Sequence, residues 1–289
     1  MSDAAEKPPS EPAKCRMNVL FSAPGFEIPD PDSIERTVNA DNTIFSWGGV
    51  EIARISPEVV VKYGTHVTAT EAKSMLFVGE NTPTLLVPKI FAYYTYGPID
   101  RDIDDFGSLS DTYIFMSYID GQSLDKVWDT YDEQTKQRVA GQLKGHIDEL
   151  RGISSAGYIG SVGSGPVTDP IGSPFASEDA FNSALIDAYQ SQAPKSHIKS
   201  YLTGLLFQNK HKIVFTHGDL RLANIMVNYG SVTGIVDWEF SGWYPEYWEF
   251  AKSLYVWKWQ NDWTNYLLQV LQPYYFGHSI HSLLFKELW

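Results

Sequence analysis

Cysteine is almost absent from this 289-residue chain: Cys15 stands alone, which excludes an internal disulfide and a cysteine-based metal site. Basic residues are also scarce, 22 Lys and Arg against 35 Asp and Glu, for a formal net charge of −13. That shortage argues against a nucleic-acid partner, whose phosphates call for clustered Lys and Arg. No run approaches the roughly 18 apolar residues of a membrane span. The opening stretch, Met1 to Lys14, is polar and rich in Pro, Glu and Ala, without the apolar core of a signal peptide. No internal repeat or heptad run is found. The expectation from these absences is a soluble, cytoplasmic monomer.

What the chain does have is core-forming material. Hydrophobic residues make up 43% and aromatics 14%, enough for one large or two small domains. The acidic surplus suits a cationic or neutral small partner, and it serves solubility equally well.

Residues 1–18 read as a disordered tail. Asp32-Ser33 precedes a short capped helix. Phe45 to Lys62 reads as three strands, turning at Trp47-Gly48-Gly49 and at Ser56-Pro57. A helix over Thr68–Val78 follows, then strands over 87–94 and 113–116. Between those strands runs an acidic loop with Asp100, Asp102, Asp104, Asp105 and Asp111. Beyond it the pattern turns helical: Val139, Leu143, Ile147 and Leu150 recur at helical spacing. A glycine-rich stretch, 157–172, interrupts. Helices resume near Glu178 and Ile198, and again from about Glu246. Strands first and helices later predict an α+β chain of two lobes, 19–117 and 118–289.

One segment carries chemistry. His217-Gly218-Asp219-Leu220-Arg221-Leu222-Ala223-Asn224 is followed by Ile235-Val236-Asp237-Trp238-Glu239. Phosphoryl transfer from ATP needs a carboxylate to receive the acceptor's proton and two oxygen ligands for magnesium. Asp219 supplies the first, and Asn224 and Asp237 the second. Ile225–Val236 reads as a hairpin turning at Asn228–Ser231, which would bring Asn224 and Asp237 together. A lone His-Gly-Asp carries little weight; the spaced set carries more.

At these residues the chain resembles the aminoglycoside phosphotransferase and choline kinase-like small-molecule kinases, relatives of the protein kinases. The family's His-Gly-Asp-Leu-x-x-x-Asn matches 217–224, and Ile-x-Asp-Trp-Glu matches 235–239. Pro245–Ala251 resembles a stretch common in fungal members. The likeness runs from about residue 40 to about 260. It implies a protein-kinase-like bilobal fold, with a small antiparallel-sheet N-lobe holding one main helix and a larger helical C-lobe. It also implies ATP and Mg2+ as cofactors and a small hydroxyl-bearing acceptor.

The resemblance assigns further roles. Lys62, ending the Val59-Val60-Val61 strand, would hold the α- and β-phosphates. Glu71, nine residues on, would fix Lys62 by an ion pair. Thr68-Ala69-Thr70-Glu71 also fits a capping box, so Glu71 has two competing readings. Gly48 and Gly49 sit where a glycine loop would cover the triphosphate, but they do not form Gly-x-Gly-x-x-Gly, and a plain hairpin turn explains them equally. Backbone groups near Ser117 and Ile119 would read adenine, with Met116 lining the pocket; an ordinary edge strand is the alternative. Arg221 would steady the transferred group or be structural. His217 would hold the loop's shape rather than transfer protons. The acceptor site would draw on the C-terminal aromatics and acids, with Trp243, Glu246, Glu249 and Asp262 as candidates; core filling is the competing reading of the tryptophans. His278 and His281 are three apart, but no acid or cysteine completes a metal set.

A nucleotide-binding scaffold without catalysis and a protein kinase are the alternatives. Against the latter, Asp237 is followed by Trp238-Glu239, and Glu246 comes only nine positions after Asp237, too close for an activation loop.

Overall fold

The computed structural model describes residues 15–167, 171–172, 174–193, 198–208, 210–254 and 261–288. They form two compact units. One comprises the residues up to Ala69 with Phe91–Met116, and the other Thr70–Ile90 with the residues from Ser117 onward. The α+β, kinase-like class expected from the sequence is the class observed.

The first unit carries a six-stranded sheet: β1 (Arg16–Ser22), β2 (Thr43–Trp47), β3 (Val50–Arg54), β4 (Val59–Gly64), β5 (Ile90–Gly97) and β6 (Asp111–Ser117). The spatial order is β1-β5-β6-β4-β3-β2. Most of the expected tail lies outside the described residues, but its last part is ordered: β1 begins at Arg16 and pairs antiparallel with β5, Arg16 opposite Gly97. β5 starts at Ile90 rather than Val87. Pro88, with no N–H to offer a ladder, precedes it. Helix α1 (Pro31–Thr37) is capped by Asp30, whose carboxylate accepts from the Ser33 amide at 2.7 Å, with Pro31 opening the helix. Ile34 from α1 packs with Ala53, Val61, Tyr94 and Phe115 as this unit's core.

The chain leaves this unit along α2 (Ala69–Asn81) and returns at residue 91; a four-residue α3 (Ile103–Phe106), capped by Asp102, interrupts the acidic loop.

The second unit is mainly helical: α4 (Leu124–Val127), α5 (Glu133–Arg151), α6 (Glu178–Gln192), α7 (Lys199–Leu206), α8 (Trp248–Ser253), α9 (Trp263–Val270) and α10 (Tyr275–Leu288). Five strands accompany them: β7 (Gln122–Ser123), β8 (Ile213–Thr216), β9 (Ile225–Asn228), β10 (Ser231–Ile235) and β11 (Gly242–Pro245), in sheets β10-β9-β7 and β11-β8. Asp132 caps α5 through the Thr135 amide at 2.8 Å, and Val139, Leu143, Ile147 and Leu150 form its buried stripe, as their spacing predicted. Burying such a side chain contributes about 1.5–3 kcal/mol. Phe181, Leu185, Leu202, Tyr244 and Trp248 anchor a second core around α6 and α8. Among the described residues no helix is long and apolar enough to cross a membrane.

Candidate active site

The site is built on the turn that leaves β8. Gly218 sits at φ +83, and a side chain there would collide with the Phe240 carbonyl. His217 is fully buried beside it. Its Nε2 lies 3.0 Å from the Val236 carbonyl, and its Nδ1 accepts from the Asp219 amide at 3.2 Å. These partners require the proton on Nε2. Burial lowers its pKa to about 4, so the ring is neutral near pH 7. His217 therefore ties the 217–224 loop to the exit of β10, as the sequence suggested.

Below the loop lies Glu249 of α8, 1% exposed. Its carboxylate accepts from the His217 amide at 2.7 Å and the Gly218 amide at 3.2 Å. Burial raises its pKa. Glu249 is thus not open to an acceptor, contrary to the sequence expectation: it fixes the backbone on which Asp219 stands. Trp243 departs from its expected role in the same way. It is 4% exposed, donates Nε1 to the Ser154 carbonyl, and meets Phe215 and the α2 residue Phe77 edge-on at 5.0 and 5.1 Å. Asp262 is committed to Lys136 at 2.9 Å and Trp128 Nε1 at 2.8 Å. Glu246 joins the start of β8, exchanging backbone and carboxylate bonds with Lys212. Trp257, Trp259 and Trp289 lie outside the described residues.

Asp219 accepts from Asn224 Nδ2 at 2.8 Å and from Arg221 Nε at 3.0 Å. Burial raises its pKa to about 6; Arg221 opposes this and Asp237 adds to it. A carboxylate poised near neutrality suits a general base. Asn224 also donates to the Asp219 carbonyl, which leaves its Oδ1 for other partners. The predicted hairpin is present, with Ser231 opposite Asn228. Val236 N donates to Asn224 O at 2.9 Å, closing the open end of the hairpin. Asp237 follows at φ +68, a left-handed conformation that non-glycine residues adopt rarely and that clusters at functional sites.

Glu71, Asp237 and Glu239 each place one carboxylate oxygen within 4.8 Å of the others. Three hard anionic oxygens so close repel one another, and a divalent cation of the magnesium type is the partner their chemistry fits. Glu239 was not singled out from the sequence as a ligand; the Asp-x-Glu spacing was the available signal. Arg221 Nη2 lies 3.7 Å from Asp237, bridging the two aspartates.

The remaining candidates stand on other elements. Lys62 is buried on β4, opposite Ile52. Gly48 and Gly49 form a two-residue turn at φ +60 and +74, pinned by His66, whose Nδ1 lies 2.6 Å from the Gly48 carbonyl. Met116 is half-buried near the end of β6. The Ser117 amide donates to the Lys89 carbonyl at 2.8 Å, so it is engaged within the protein and not presented to adenine. Ile119 packs over Gly234. Thr68 Oγ1 is buried without a hydrogen-bond partner, so the threonine half of the expected capping box is not formed. His278 bonds the Ala251 carbonyl, and His281 meets Trp248 edge-on; the only metal-competent group among the described residues is the three-carboxylate one.

The model of the phosphotransferase enzyme family matches residues 66–282. Among solved structures, the streptomycin–ATP complex of APH(2″)-IIa is similar at 13% identity and TM-score 0.55, covering 91% of this chain and 87% of that one. The GDP complex of aminoglycoside 2′-phosphotransferase-IIIa matches at 16% identity and TM-score 0.53, covering 85% and 82%. ADP-bound APH(2″)-Ib matches at 12% identity and TM-score 0.52, covering 86% and 80%. No curated protein sequence matches significantly. At such identities the structural likeness speaks for the fold, and the family match, spanning most of the chain, speaks for descent. The chain belongs to the phosphotransferase enzyme family.

Proposed function

We propose that this chain is an ATP- and magnesium-dependent phosphotransferase that moves the γ-phosphoryl group to a hydroxyl of a small molecule. The observation that carries the reading is Asp219, raised to about 6 and held by Asn224 and Arg221 next to the Glu71–Asp237–Glu239 oxygens. Above pH 6 the Asp219 carboxylate is ionised and can take the acceptor's proton. The freed oxygen then attacks the γ-phosphorus, the bond to the β-bridging oxygen breaks, and ADP leaves. Asn224 Oδ1, Asp237 and Glu239 would hold magnesium, which when bound offsets the charge of the triphosphate. Arg221, with its two-pronged guanidinium, would pass from the aspartates to the transferred group.

Lys62 would hold the α- and β-phosphates. Glu71 is assigned to Lys62 and the metal group rather than to a cap, because Thr68 makes no cap bond and the Glu71 carboxylate lies with Asp237 and Glu239. Gly48, Gly49, Met116 and the backbone at Ile119 are proposed nucleotide contacts.

ADP release by the full chain, with ATP and magnesium across a library of small alcohols, tests this. Asp219→Asn should lower turnover on the order of 10²–10⁴-fold while leaving ATP affinity intact. A variant with wild-type turnover would refute the assignment.

A further inference from the structure

Thr82-Pro83-Thr84-Leu85-Leu86-Val87-Pro88-Lys89 joins α2 to β5. It supplies no group to the site described above, yet it touches both elements that carry the three clustered carboxylates. At its start it continues α2, the helix of Glu71. Thr82 donates its amide and its hydroxyl to the Val78 carbonyl, at 2.9 and 2.7 Å, and Val87 lies against Gly79. In its middle the Leu86 carbonyl accepts from the Ile235 amide at 2.9 Å. Ile235 is the last residue of β10, two positions before Asp237 and four before Glu239. The Leu86–Ile235 bond therefore joins the segment packed on the Glu71 helix to the strand that delivers the other two carboxylates.

Apolar packing holds this segment only in part: Leu85 is buried, but Thr84, Leu86 and Lys89 are exposed. Ser117 holds the far end, its Oγ accepting from the Lys89 amide at 2.9 Å and its amide donating back at 2.8 Å. The centre is held by Glu149. Its carboxylate accepts from the Thr84 amide at 2.8 Å and from the Thr84 hydroxyl. Bonds to an ionised acceptor are roughly twice as strong as neutral ones. Glu149 stands on α5 between Ile147 and Leu150 of the buried stripe, so the anchor itself is rigid. Pro83 and Pro88 fix φ at about −65° and stiffen the run. A constraint at Thr84 is carried to Leu86, two residues on.

We propose that Glu149 is a positioning residue for the Glu71–Asp237–Glu239 group: through Thr84 and the Leu86–Ile235 bond it locks α2 to the exit of β10, so that the three carboxylates keep the spacing a divalent cation needs. Its role toward magnesium rests on the phosphotransferase reading above. The test takes two measurements on the full chain. The first, without metal, is hydrogen exchange of the Ile235 amide. Glu149→Ala should speed it about 10-fold, because the opening of that bond is no longer opposed from α5. The second is the magnesium concentration that half-saturates ADP binding in calorimetry. Partners in direct contact with a metal ligand are worth 10–100-fold, and Glu149 stands one layer further out, so its loss should raise the midpoint roughly 3- to 10-fold. Glu149→Gln keeps one acceptor oxygen for Thr84; it should fall between, and it decides the matter if Glu149→Ala fails to fold. Glu149→Ala should add less in a Thr84→Val background than in the wild type, since the two share one contact. Ile186→Val, in the core around α6, controls for lost stability: it should lower Tm and leave the magnesium midpoint in place. Unchanged Ile235 exchange, or a midpoint that moves no further in the Glu149 variants than in Ile186→Val, would overturn the assignment. Wild-type ADP binding indifferent to magnesium would overturn the phosphotransferase reading, and the metal role of Glu149 with it; the exchange of Ile235, measured without metal, judges the lock on its own.

Discussion

Two hairpins in this molecule use the same turn for different ends. β2–β3 turns at Gly48-Gly49 and β9–β10 at Tyr229-Gly230; all four residues have positive φ, at +60, +74, +47 and +69. Such turns match the twist of the flanking strands. The second hairpin is tied down from every side. Arg138 Nε donates to the Gly230 carbonyl at 2.9 Å, and Gln142 accepts from the Val232 amide at 2.9 Å. Its open end holds Asn224 and Asp237. The first hairpin lies at the sheet edge, its outer strand exposed and Trp47 at its tip 80% exposed. The second turn is held by side chains of α5, whereas the first is pinned by His66 through its ring and its amide.

The largest effect should come from the tied-down hairpin. Asp237→Ala removes a proposed metal ligand. Outer partners alone are worth 10–100-fold in metal affinity, so magnesium-dependent nucleotide binding should fall by at least about 100-fold in calorimetry. An unchanged magnesium dependence would place the metal elsewhere. Next is Glu249→Ala, which strips the acceptor from two buried amides at about 1–3 kcal/mol each. Tm should fall by several degrees and turnover with it. Glu249→Gln keeps one carbonyl oxygen and should lie between. Loss of turnover with an unchanged Tm would instead mean that Glu249 touches substrate.

The pH response follows. With Asp219 raised to about 6, turnover should climb roughly 10-fold per pH unit below 6 and level off above it. Stability runs the other way for this group. Its folded pKa exceeds the ordinary 3.8, so its contribution is full below about 4 and is lost as pH rises through 6. His217, depressed to about 4, has the opposite sign: its contribution is present above 6.5 and is lost as pH falls through 4. Thermal melts of the wild type and Asp219→Asn across pH 4–7 separate the two, and identical profiles would show Asp219 unperturbed.

The smallest effects test the comparison directly. An L residue in the left-handed region costs roughly 1–2 kcal/mol. Gly230→Ala and Gly49→Ala should each lower Tm by a few degrees. In the first, the new methyl meets the flexible ends of Arg138 and Thr135; in the second, it meets Thr65 and His66. Only Gly49→Ala should raise the KM for ATP. Equal kinetics in both would dissolve the distinction between clamp and cover.

The sequence spoke where the chemistry was local. The Asp219–Asn224 loop, the β9–β10 hairpin and the α5 stripe follow from spacing within a few residues of each other. It was silent where partners are distant. β11 is a four-residue strand containing Gly and Pro, recognisable only through β8, with Trp243 opposite Phe215. Composition shows that Glu249, Trp243 and Asp262 are acidic or aromatic, but not which way they face. Glu249 turns inward to loop amides 31 and 32 residues away, and Lys136 reaches Asp262 across 126. Glu239 became a ligand candidate only when α2 brought Glu71 beside it.

One further consequence lies in the path of the chain. It crosses between the compact units after Ala69, after Ile90 and after Met116, so neither unit is a continuous stretch. A fragment starting at Ser117 would lack Glu71 and Phe77, and would leave Phe215 and Trp243 without the ring that caps them at 5.4 and 5.1 Å. No single cut yields a self-sufficient half. Shuffling either unit into another protein as one exon-like block would sever the other, so the two are bound to be inherited together.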